Sequence, residues 1–389
     1  MTTTPTTPNA RQAGRAFSFF WQEAAQDWPT GGPEGRSGFS EYVTRTLRAL
    51  REGIGREAGT VPAIRHAHRT GLPDDADRLP LLYIAEHAVL TLFGLHQHAA
   101  AEPVHRPGVG LGTACRRLRQ SEQLSDAAVE RRLIAAATAQ DLHELVQHLQ
   151  RLVPLLRQAG IGIDYTRLLH NLADWDGPGQ DRVLRSWGLQ YTDPNTPATE
   201  GEDTPDADTA PYWATCAPGS VKAGAELAAL RSGTGRVAGT VPAMWPFHRT
   251  RMASEWHDKG SLTRDLAAEH TALTLFARHQ QTHHRPMHAR GTSPGTAAGL
   301  LAKKAEDGEG KAGKAALERR FGVLLTSDDG DELAMHLRSL VPLLNRAGIG
   351  LDYDLLRTAL RTWDDPRRPD AATRFRQQWD RDFHTAASS

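Results

Sequence analysis

Leucines recur along two stretches of the chain with the spacing of one helix face. In both stretches they lie four, three and four residues apart: Leu145, Leu149, Leu152 and Leu156, and again Leu333, Leu337, Leu340 and Leu344. An apolar stripe with this period predicts an amphipathic α-helix that packs against a core. Segments 81–98 and 264–284 have the same character, and no alternating run of β-branched residues is long enough for a strand. The pattern predicts an all-α protein.

The chain contains two copies of one sequence. The segment ELVQHLQRLVPLLRQAGIGIDY at 144–165 recurs as ELAMHLRSLVPLLNRAGIGLDY at 332–353, with 15 of 22 positions identical. Shorter blocks recur in the same order: EAGTVPA at 57–63 as VAGTVPA at 237–243, EHAVLTLFGLHQ at 86–97 as EHTALTLFARHQ at 269–280, and VERRL at 129–133 as LERRF at 317–321. Collinear blocks establish an internal duplication, and each copy is expected to form a bundle of five or more helices.

The two copies are separated by TDPNTPATEGEDTPDADTAP, residues 192–211. This segment holds six acids, no base and no apolar residue larger than alanine, and such a composition cannot bury enough surface to order itself. We therefore predict a disordered leader over 1–16, a first helical module over 17–191, a disordered acidic linker over 192–211, and a second helical module over 212–385. Only the first copy carries a Gly/Pro-rich loop, near 29–38.

Helix ends can be placed from residues that both copies share. A glycine follows each leucine stripe where a helix C-terminus is expected, an aspartate then stands as an N-cap, and a proline falls inside the stripe, where we expect a kink or a break. The glycines are Gly160 and Gly348, the aspartates Asp164 and Asp352, and the prolines Pro154 and Pro342.

Composition indicates the cellular compartment in which the protein works. No stretch approaches the roughly 18 apolar residues of a membrane span, and the N-terminal MTTTPTTPNARQAG lacks the apolar core of a secretory signal. The two cysteines, Cys115 and Cys216, do not support a disulfide framework. These features predict a cytoplasmic protein with no membrane partner.

The formal net charge is zero, from 46 basic and 46 acidic residues. The acids are concentrated in the linker, so residues 1–191 carry 21 bases against 20 acids and residues 212–389 carry 25 against 20. Only six of the bases are lysine. Arginine suits phosphate because its planar guanidinium is always charged, although a GC-rich coding genome explains the same bias equally well.

The repeated Glu-Arg-Arg triplets are the strongest candidate binding residues. If Val129 and Leu133 lie on the buried face of a helix, Arg131 lies nearly opposite and Arg132 on the flank. Arg319 and Arg320 have the same positions in the second copy. Two adjacent exposed arginines can clamp phosphate oxygens; the alternative is a solvated face paired with Glu130 or Glu318. Further bases precede both helices: Arg116, Arg117 and Arg119 in the first copy, and Lys303, Lys304, Lys311 and Lys314 in the second.

Catalytic and metal-binding patterns are weak. His87 and His96 lie nine residues apart, so on a helix they point in opposite directions and cannot share an ion; helix packing or capping is the favoured role for the shared histidines. There is no GxSxG, Walker-type phosphate loop or CxxC. The shared carboxylates indicate caps and ion pairs, and the shared tryptophans indicate core. The sequence predicts no catalytic site, metal or cofactor.

The ordered blocks resemble the small subunit of the type I-E CRISPR Cascade complex, the CasB family. The matching motifs are VPA opening a helix, the LG(x)A turn at Leu111-Gly112, ERR(L/F), the HL(Q/R)xLVxLL stripe, (I/L)DYxxLL and a terminal helix with tryptophan, and the ordered set is met twice. The resemblance implies an all-helical, non-catalytic subunit that contacts the backbone of guide RNA and target DNA beside other Cascade proteins and helps hold the opened target. The alternative is a helical protein–protein scaffold without nucleic-acid contact.

By this resemblance a set of bases would contact the backbone: Arg131, Arg132, Arg319 and Arg320, with Arg151 and Arg338. The segment after VPA reads IRHAHR and MWPFHR, so only Arg69 and Arg249 align with the basic position of the family. Threonine follows Gly112 and Gly295 where an arginine is common. The two copies are therefore expected to bind the nucleic-acid backbone with unequal strength.

Overall fold

The computed structural model describes residues 18–28, 38–71, 78–121, 125–192 and 210–388. Every regular element in these ranges is helical, beside two isolated parallel bridges, His105 with Ile163 and His288 with Leu351, so the all-α prediction is confirmed. The predicted leader, the Gly/Pro-rich loop and the linker fall almost wholly outside the described residues. None of the described helices combines the length and the apolarity that crossing a membrane requires.

The chain divides into two compact units, Met1–Val183 and Leu184–Ser389. The first contains α1 (Phe20–Asp27), α2 (Glu41–Glu52), a 3-10 turn (Pro62–Ala67), α3 (Leu81–Gln97), α4 (Leu111–Gln120), α5 (Asp126–Ala137), α6 (Leu142–Gln158), α7 (Tyr165–Ala173) and the start of α8 (Gln180–Thr192). The division falls within α8, and the module boundaries taken from the sequence duplication stay a prediction.

The second unit repeats this order. After the end of α8 it contains α9 (Tyr212–Thr215), α10 (Val221–Arg231), a 3-10 turn (Pro242–Phe247), α11 (Ser254–Lys259), α12 (Arg264–Gln280), α13 (Pro294–Leu325), α14 (Gly330–Ala347), α15 (Tyr353–Thr362) and α16 (Ala371–Ser388). By sequence, α13 spans the counterparts of α4 and α5, and its path is interrupted at Gly310, which has a non-helical backbone with φ +69°.

Each unit is built around one central helix. In the first unit α3 packs against α2, α6 and α7, and in the second α12 packs against α10, α14 and α15. Because each central helix has neighbours on several sides, its histidines, such as His87 and His270, are buried along with its leucines. Fully burying one large apolar side chain contributes roughly 1.5–3 kcal/mol, so these central contacts supply much of the driving force for folding.

The predicted leucine stripes form the buried faces of α6 and α14. All eight stripe leucines are no more than 2% exposed. Pro154 and Pro342 lie inside helices that continue past them. Neither helix breaks there, and the alternative of a kink stays a prediction. A proline removes one backbone hydrogen bond, and the buried leucines on both sides hold each helix against the core despite that loss.

The predicted helix ends are also confirmed. Asp164 accepts the backbone amides of Thr166 and Arg167, each at 3.0 Å, and Asp352 caps α15 in the same way. Gly160 and Gly348 both have a left-handed backbone, with φ +66° and +67°, a conformation that glycine adopts without steric cost. These caps determine where α6 and α14 end and where α7 and α15 begin.

Candidate nucleic-acid interface

Arg131 and Arg132 lie on the exposed side of α5. Val129 and Leu133 are buried on the opposite side, as the spacing predicts. Arg132 donates one guanidinium hydrogen bond to the carbonyl of Ala128 in its own helix, at 3.0 Å. Among the described residues no carboxylate forms an ion pair with either arginine. Both guanidinium groups are therefore available to an external anion.

Arg319 and Arg320 occupy the same position on α13. Phe321 and Leu324 anchor that part of the helix in the core, and both arginines are exposed. Within the described ranges neither has a carboxylate partner. Glu318 beside them is exposed as well, so the alternative of a self-neutralised triplet has no support in either copy.

The bases of α4 differ in their surroundings. Cys115 and Leu118 bury one face of this helix, and Arg117 on another face is exposed. Arg116 and Arg119 are half-buried and interact within the protein. Arg117 is therefore the α4 arginine that is most open to a ligand.

The corresponding lysines of the second copy lie on α13. Lys303 is half-buried, and Lys304 is exposed, although its Nζ donates to the carbonyl of Ala347 at 2.9 Å. A lysine ammonium has three donor hydrogens, so one intramolecular bond leaves Lys304 able to bind a phosphate.

Arg151 and Arg338 occupy neighbouring rather than identical positions of the duplicated helix. Arg151 is exposed on α6. Arg338 is half-buried on α14 with a buried Nε, and it lies near enough to His270 to lower the pKa of that histidine, after the larger effect of burial. The two arginines thus face different environments in the two units.

Arg69 is engaged inside the first unit. Its guanidinium donates to Glu23 Oε2 at 2.7 Å, to the carbonyl of Ser18 at 3.0 Å and to that of His66 at 2.9 Å. Its backbone amide donates to Glu86 Oε1 at 2.7 Å. These bonds favour a structural role for Arg69, because a phosphate would have to compete with Glu23.

Arg249 has the equivalent surroundings in the second unit. Its guanidinium donates to the carbonyls of Pro246 and His248, and its backbone amide donates to Glu269 Oε1 at 2.9 Å. Glu269 also accepts the amide of Thr250 at 3.0 Å. The sequence could not separate Arg69 from the other arginines, since Glu23 and Ser18 lie about 50 positions away along the chain.

Further exposed arginines precede and begin α16. Arg367, Arg368 and Arg374 are exposed, and within the described residues none has an ion-pair partner. The signal that could have found them is the cluster DDPRRPDAATR, which has no equal in the first copy. We add these arginines to the candidate basic surface of the second unit.

The shared histidines and tryptophans belong to the core, as predicted. His96 Nδ1 lies 2.8 Å from the hydroxyl of Tyr165, and His279 Nδ1 lies 3.0 Å from that of Tyr353. Burial lowers the pKa of both histidines to about 4. The four shared tryptophans, which are Trp175, Trp187, Trp363 and Trp379, are at most 3% exposed, so they cannot stack on bases.

One trio among the described residues brings possible metal ligands within 4.8 Å of one another: His288, Asp352 and Asp354. Its atoms already have protein partners. Asp352 accepts the amides of Asp354 at 2.9 Å and of Gly291 at 2.6 Å, and His288 Nδ1 accepts that of Tyr353 at 3.2 Å. An imidazole that accepts through Nδ1 carries its proton on Nε2 and has no free lone pair for a metal. We assign this trio a capping role.

The duplicated helices are matched by a known family. The family model for CRISPR-associated protein Cse2 matches residues 46–191 and again 226–384. The chain belongs to the CRISPR-associated Cse2 family. Membership of this family implies a subunit of a Cascade complex, and the family module is present twice in this chain. The resemblance found in the sequence is therefore confirmed.

Two solved structures are similar to parts of this Cse2 protein. CasB from Thermobifida fusca shares 32% identity over 42% of this chain and 86% of its own, with a TM-score of 0.31. A Cse2-family protein from Thermus thermophilus shares 22% identity over 44% of this chain and 92% of its own, with a TM-score of 0.33. Comparison with curated proteins found no match.

Proposed function

We propose that this double Cse2 protein is a non-catalytic, cytoplasmic subunit of a type I-E CRISPR surveillance complex, and that it binds the backbone of guide RNA and target DNA and stabilises the opened target. The observation that carries the proposal is the state of the two Glu-Arg-Arg triplets. Arg131, Arg132, Arg319 and Arg320 are all exposed on packed helices and have no carboxylate partner among the described residues.

The chemistry favours backbone contact over reading of bases. Guanidinium groups form paired, charge-assisted hydrogen bonds with phosphate oxygens. The four tryptophans that the two copies share are buried, so they cannot stack on bases. Arg117, Arg151, Lys303, Lys304, Arg338 and the α16 arginines extend the proposed contacts, and other Cascade subunits and the two nucleic acids are the proposed partners.

The test measures the salt dependence of single-strand binding by the full chain. The four-arginine variant Arg131→Glu, Arg132→Glu, Arg319→Glu and Arg320→Glu is compared with the wild type. Each lost phosphate contact lowers the log–log salt slope for a single strand by about 0.7, so four lost contacts flatten the slope by roughly 3. Salt-independent binding by the wild type, or no binding even within the assembled complex, contradicts the proposal.

A charge-matched control uses arginines that already have acidic partners. Arg45 and Arg48 pair with Glu41 and Glu52 on α2, and Arg264 and Arg361 pair with Asp364 and Asp265. Changing these four to glutamate alters the net charge by the same amount. The salt slope of this control should stay close to that of the wild type.

A protein–protein scaffold is the second candidate. It is favoured by exposed apolar side chains of the second unit, namely Val237, Trp256, Leu262 and Met335, of which three are at least half exposed. Under this alternative, substituting them with serine would prevent co-purification with other Cascade subunits, while the four-arginine variant would bind nucleic acid and assemble as the wild type does.

A further inference from the structure

The first unit contains a cavity of about 770 Å³, within the range of roughly 300–1,000 Å³ that small-molecule sites have. It lies between the turn after α2, the central helix α3 and the exposed side of α6. Its polar lining includes Arg56, Glu57, His143, Gln147, Gln150 and Arg151. Apart from Arg151, which belongs to the proposed basic surface, and His87, which also lines the cavity but packs in the core, the polar lining residues have no role in the functions considered above.

The turn at one edge of the cavity is held in a defined conformation. Gly53 ends α2, and a Cβ there would lie 3.3 Å from both Leu50 O and Thr91 Cγ2. Gly55 has a left-handed backbone with φ +75°. The carbonyl of Arg56 then lies 3.1 Å from His87 Nε2. This bond fixes the backbone from which the Arg56 side chain extends.

The floor and the rim of the cavity differ in charge. His87 is 5% exposed, and burial together with the nearby His68 lowers its pKa, so the floor formed by His87, Ile84 and Ala88 is uncharged at neutral pH. The rim carries the guanidinium groups of Arg56 and Arg151, both exposed and both without an ion-pair partner among the described residues. Glu57 adds one exposed carboxylate beside Arg56, so the rim keeps a net positive charge. An uncharged floor below this rim suits a ligand with a flat, uncharged ring and an anionic group.

Amide and imidazole groups line the wall between floor and rim. Gln147 Nε2 lies 2.9 Å from His143 Nε2 on the next turn of α6, and Gln150 lines the cavity on the same helix. An amide side chain presents both a donor and an acceptor, which can pair with the edge of a base. A nucleotide requires an apolar surface for its base, amide groups for the edge of the base and a cation for its phosphate. The floor, the amide side chains and the arginines of this cavity supply these three features.

The second copy keeps Arg56 as Arg236 but differs along the α6 side of the cavity. Gln147 corresponds to Met335, Arg151 to Ser339 and His143 to Asp331. Gln150 corresponds to Arg338, a larger side chain with a buried Nε. The duplication therefore supplies an internal comparison in which the fold and one rim arginine are shared, while the amide groups and the second arginine are not.

We propose that the cavity of the first unit binds one nucleotide, with the base inside the cavity and the phosphate between Arg56 and Arg151. If the nucleotide is part of a bound strand, this inference rests on the proposed function given above. A free nucleoside monophosphate offers the same chemistry, and the test distinguishes the two sources.

The first arm compares an oligothymidylate with an abasic strand of equal length, using the full chain. Since stacking of one base changes affinity by about tenfold or more, the wild type should prefer the oligothymidylate by about tenfold. Gln147→Trp fills the mouth of the cavity and should remove that preference, leaving the affinity for the abasic strand unchanged. The control Met335→Trp adds the same exposed ring at the aligned position and should keep the preference.

The second arm titrates thymidine monophosphate, thymidine and inorganic phosphate and follows binding by NMR. If the cavity takes free nucleotides, the monophosphate should bind the wild type and fail to bind Gln147→Trp. Arg151→Gln, a milder change at an exposed site, should reduce monophosphate affinity severalfold and leave that of thymidine unchanged. Thermal melting shows that each variant is folded.

The possible results separate the two proposals. If neither strand binds and the salt dependence is absent, the proposed function fails, while monophosphate binding that is lost in Gln147→Trp would still support the cavity as a site for free nucleotides. If both strands bind equally with a steep salt dependence, and no monophosphate binding responds to Gln147→Trp, backbone binding stands and the cavity proposal is overturned. The cavity proposal is also overturned if Gln147→Trp impairs only the assembly with protein subunits.

Discussion

The hydroxyl of Tyr353 lies 3.0 Å from Nδ1 of His279, in the core of the second unit. The other ring nitrogen, Nε2, lies 2.8 Å from the carbonyl of Ile349. A carbonyl only accepts, so Nε2 carries the proton, and Tyr353 donates to Nδ1. The same pair recurs as Tyr165 and His96 at 2.8 Å. The core of the second unit is therefore held by a defined tautomer of His279 as well as by apolar packing.

Tyr353→Phe should lower the free energy of unfolding by about 1–3 kcal/mol, because it leaves the buried Nδ1 of His279 without a donor. Urea unfolding followed by circular dichroism measures the change. Tyr42, which is 45% exposed, provides the control Tyr42→Phe, which should be near neutral. Equal stability of the two variants would show that the buried bond contributes nothing.

The protein should lose stability as the pH falls from about 6.5 to about 4. Burial lowers the pKa of His96, His270 and His279 to about 4, so the unfolded chain binds more protons than the folded chain within that window. A shift of this size corresponds to about 3 kcal/mol for each histidine at the acid end. Melting temperature against pH measures the loss. An NMR titration that places these imidazoles near pH 6.5 would contradict it.

Gly295→Ala should destabilise the second unit by about 1–3 kcal/mol. A Cβ on Gly295 would lie 2.0 Å from the carbonyl oxygen of Trp379, so α13 and α16 would have to separate. Gly322 lies on the same helix with no atom within 4 Å of its Cβ position, and Gly322→Ala should stabilise by about 0.5–1 kcal/mol. Thermal melting of the two variants should give shifts of opposite sign.

Arg69→Gln should weaken folding and leave nucleic-acid binding unchanged. The substitution removes the bond to Glu23 and those to three backbone carbonyls, with a cost of about 1–3 kcal/mol. Arg117, which is exposed, provides the opposite case: Arg117→Gln should keep the melting temperature and reduce the salt slope of strand binding. A reduced salt slope in the folded Arg69→Gln protein would contradict this prediction and indicate that Arg69 contacts the strand.

Local signals in the sequence predicted much of this fold. The stripe from Leu145 to Leu156 and the cap at Asp164 depend on residues within a few positions of one another, and the structure confirms both. The exposure of Arg131 and Arg132 followed from the same helical period. These features need no knowledge of how the helices pack together.

Features that depend on distant residues were not predictable. The role of Arg69 is decided by Glu23, which lies 46 positions away, and the sequence alone does not show that contact. The cavity is bounded by residues near 53–58, 79–91 and 142–151, which meet only once α2, α3 and α6 have packed. The position of an arginine on a helix can therefore be predicted from nearby residues. Whether that arginine is free to bind an external phosphate depends on the tertiary structure.

Gln147 and Arg151 line the first unit's cavity, and Met335 and Ser339 stand in their places in the second copy. The two halves of this chain therefore share an interior and differ at these surface positions. Both halves are encoded in one gene as separate segments, so selection can change the surface of one half without altering the other.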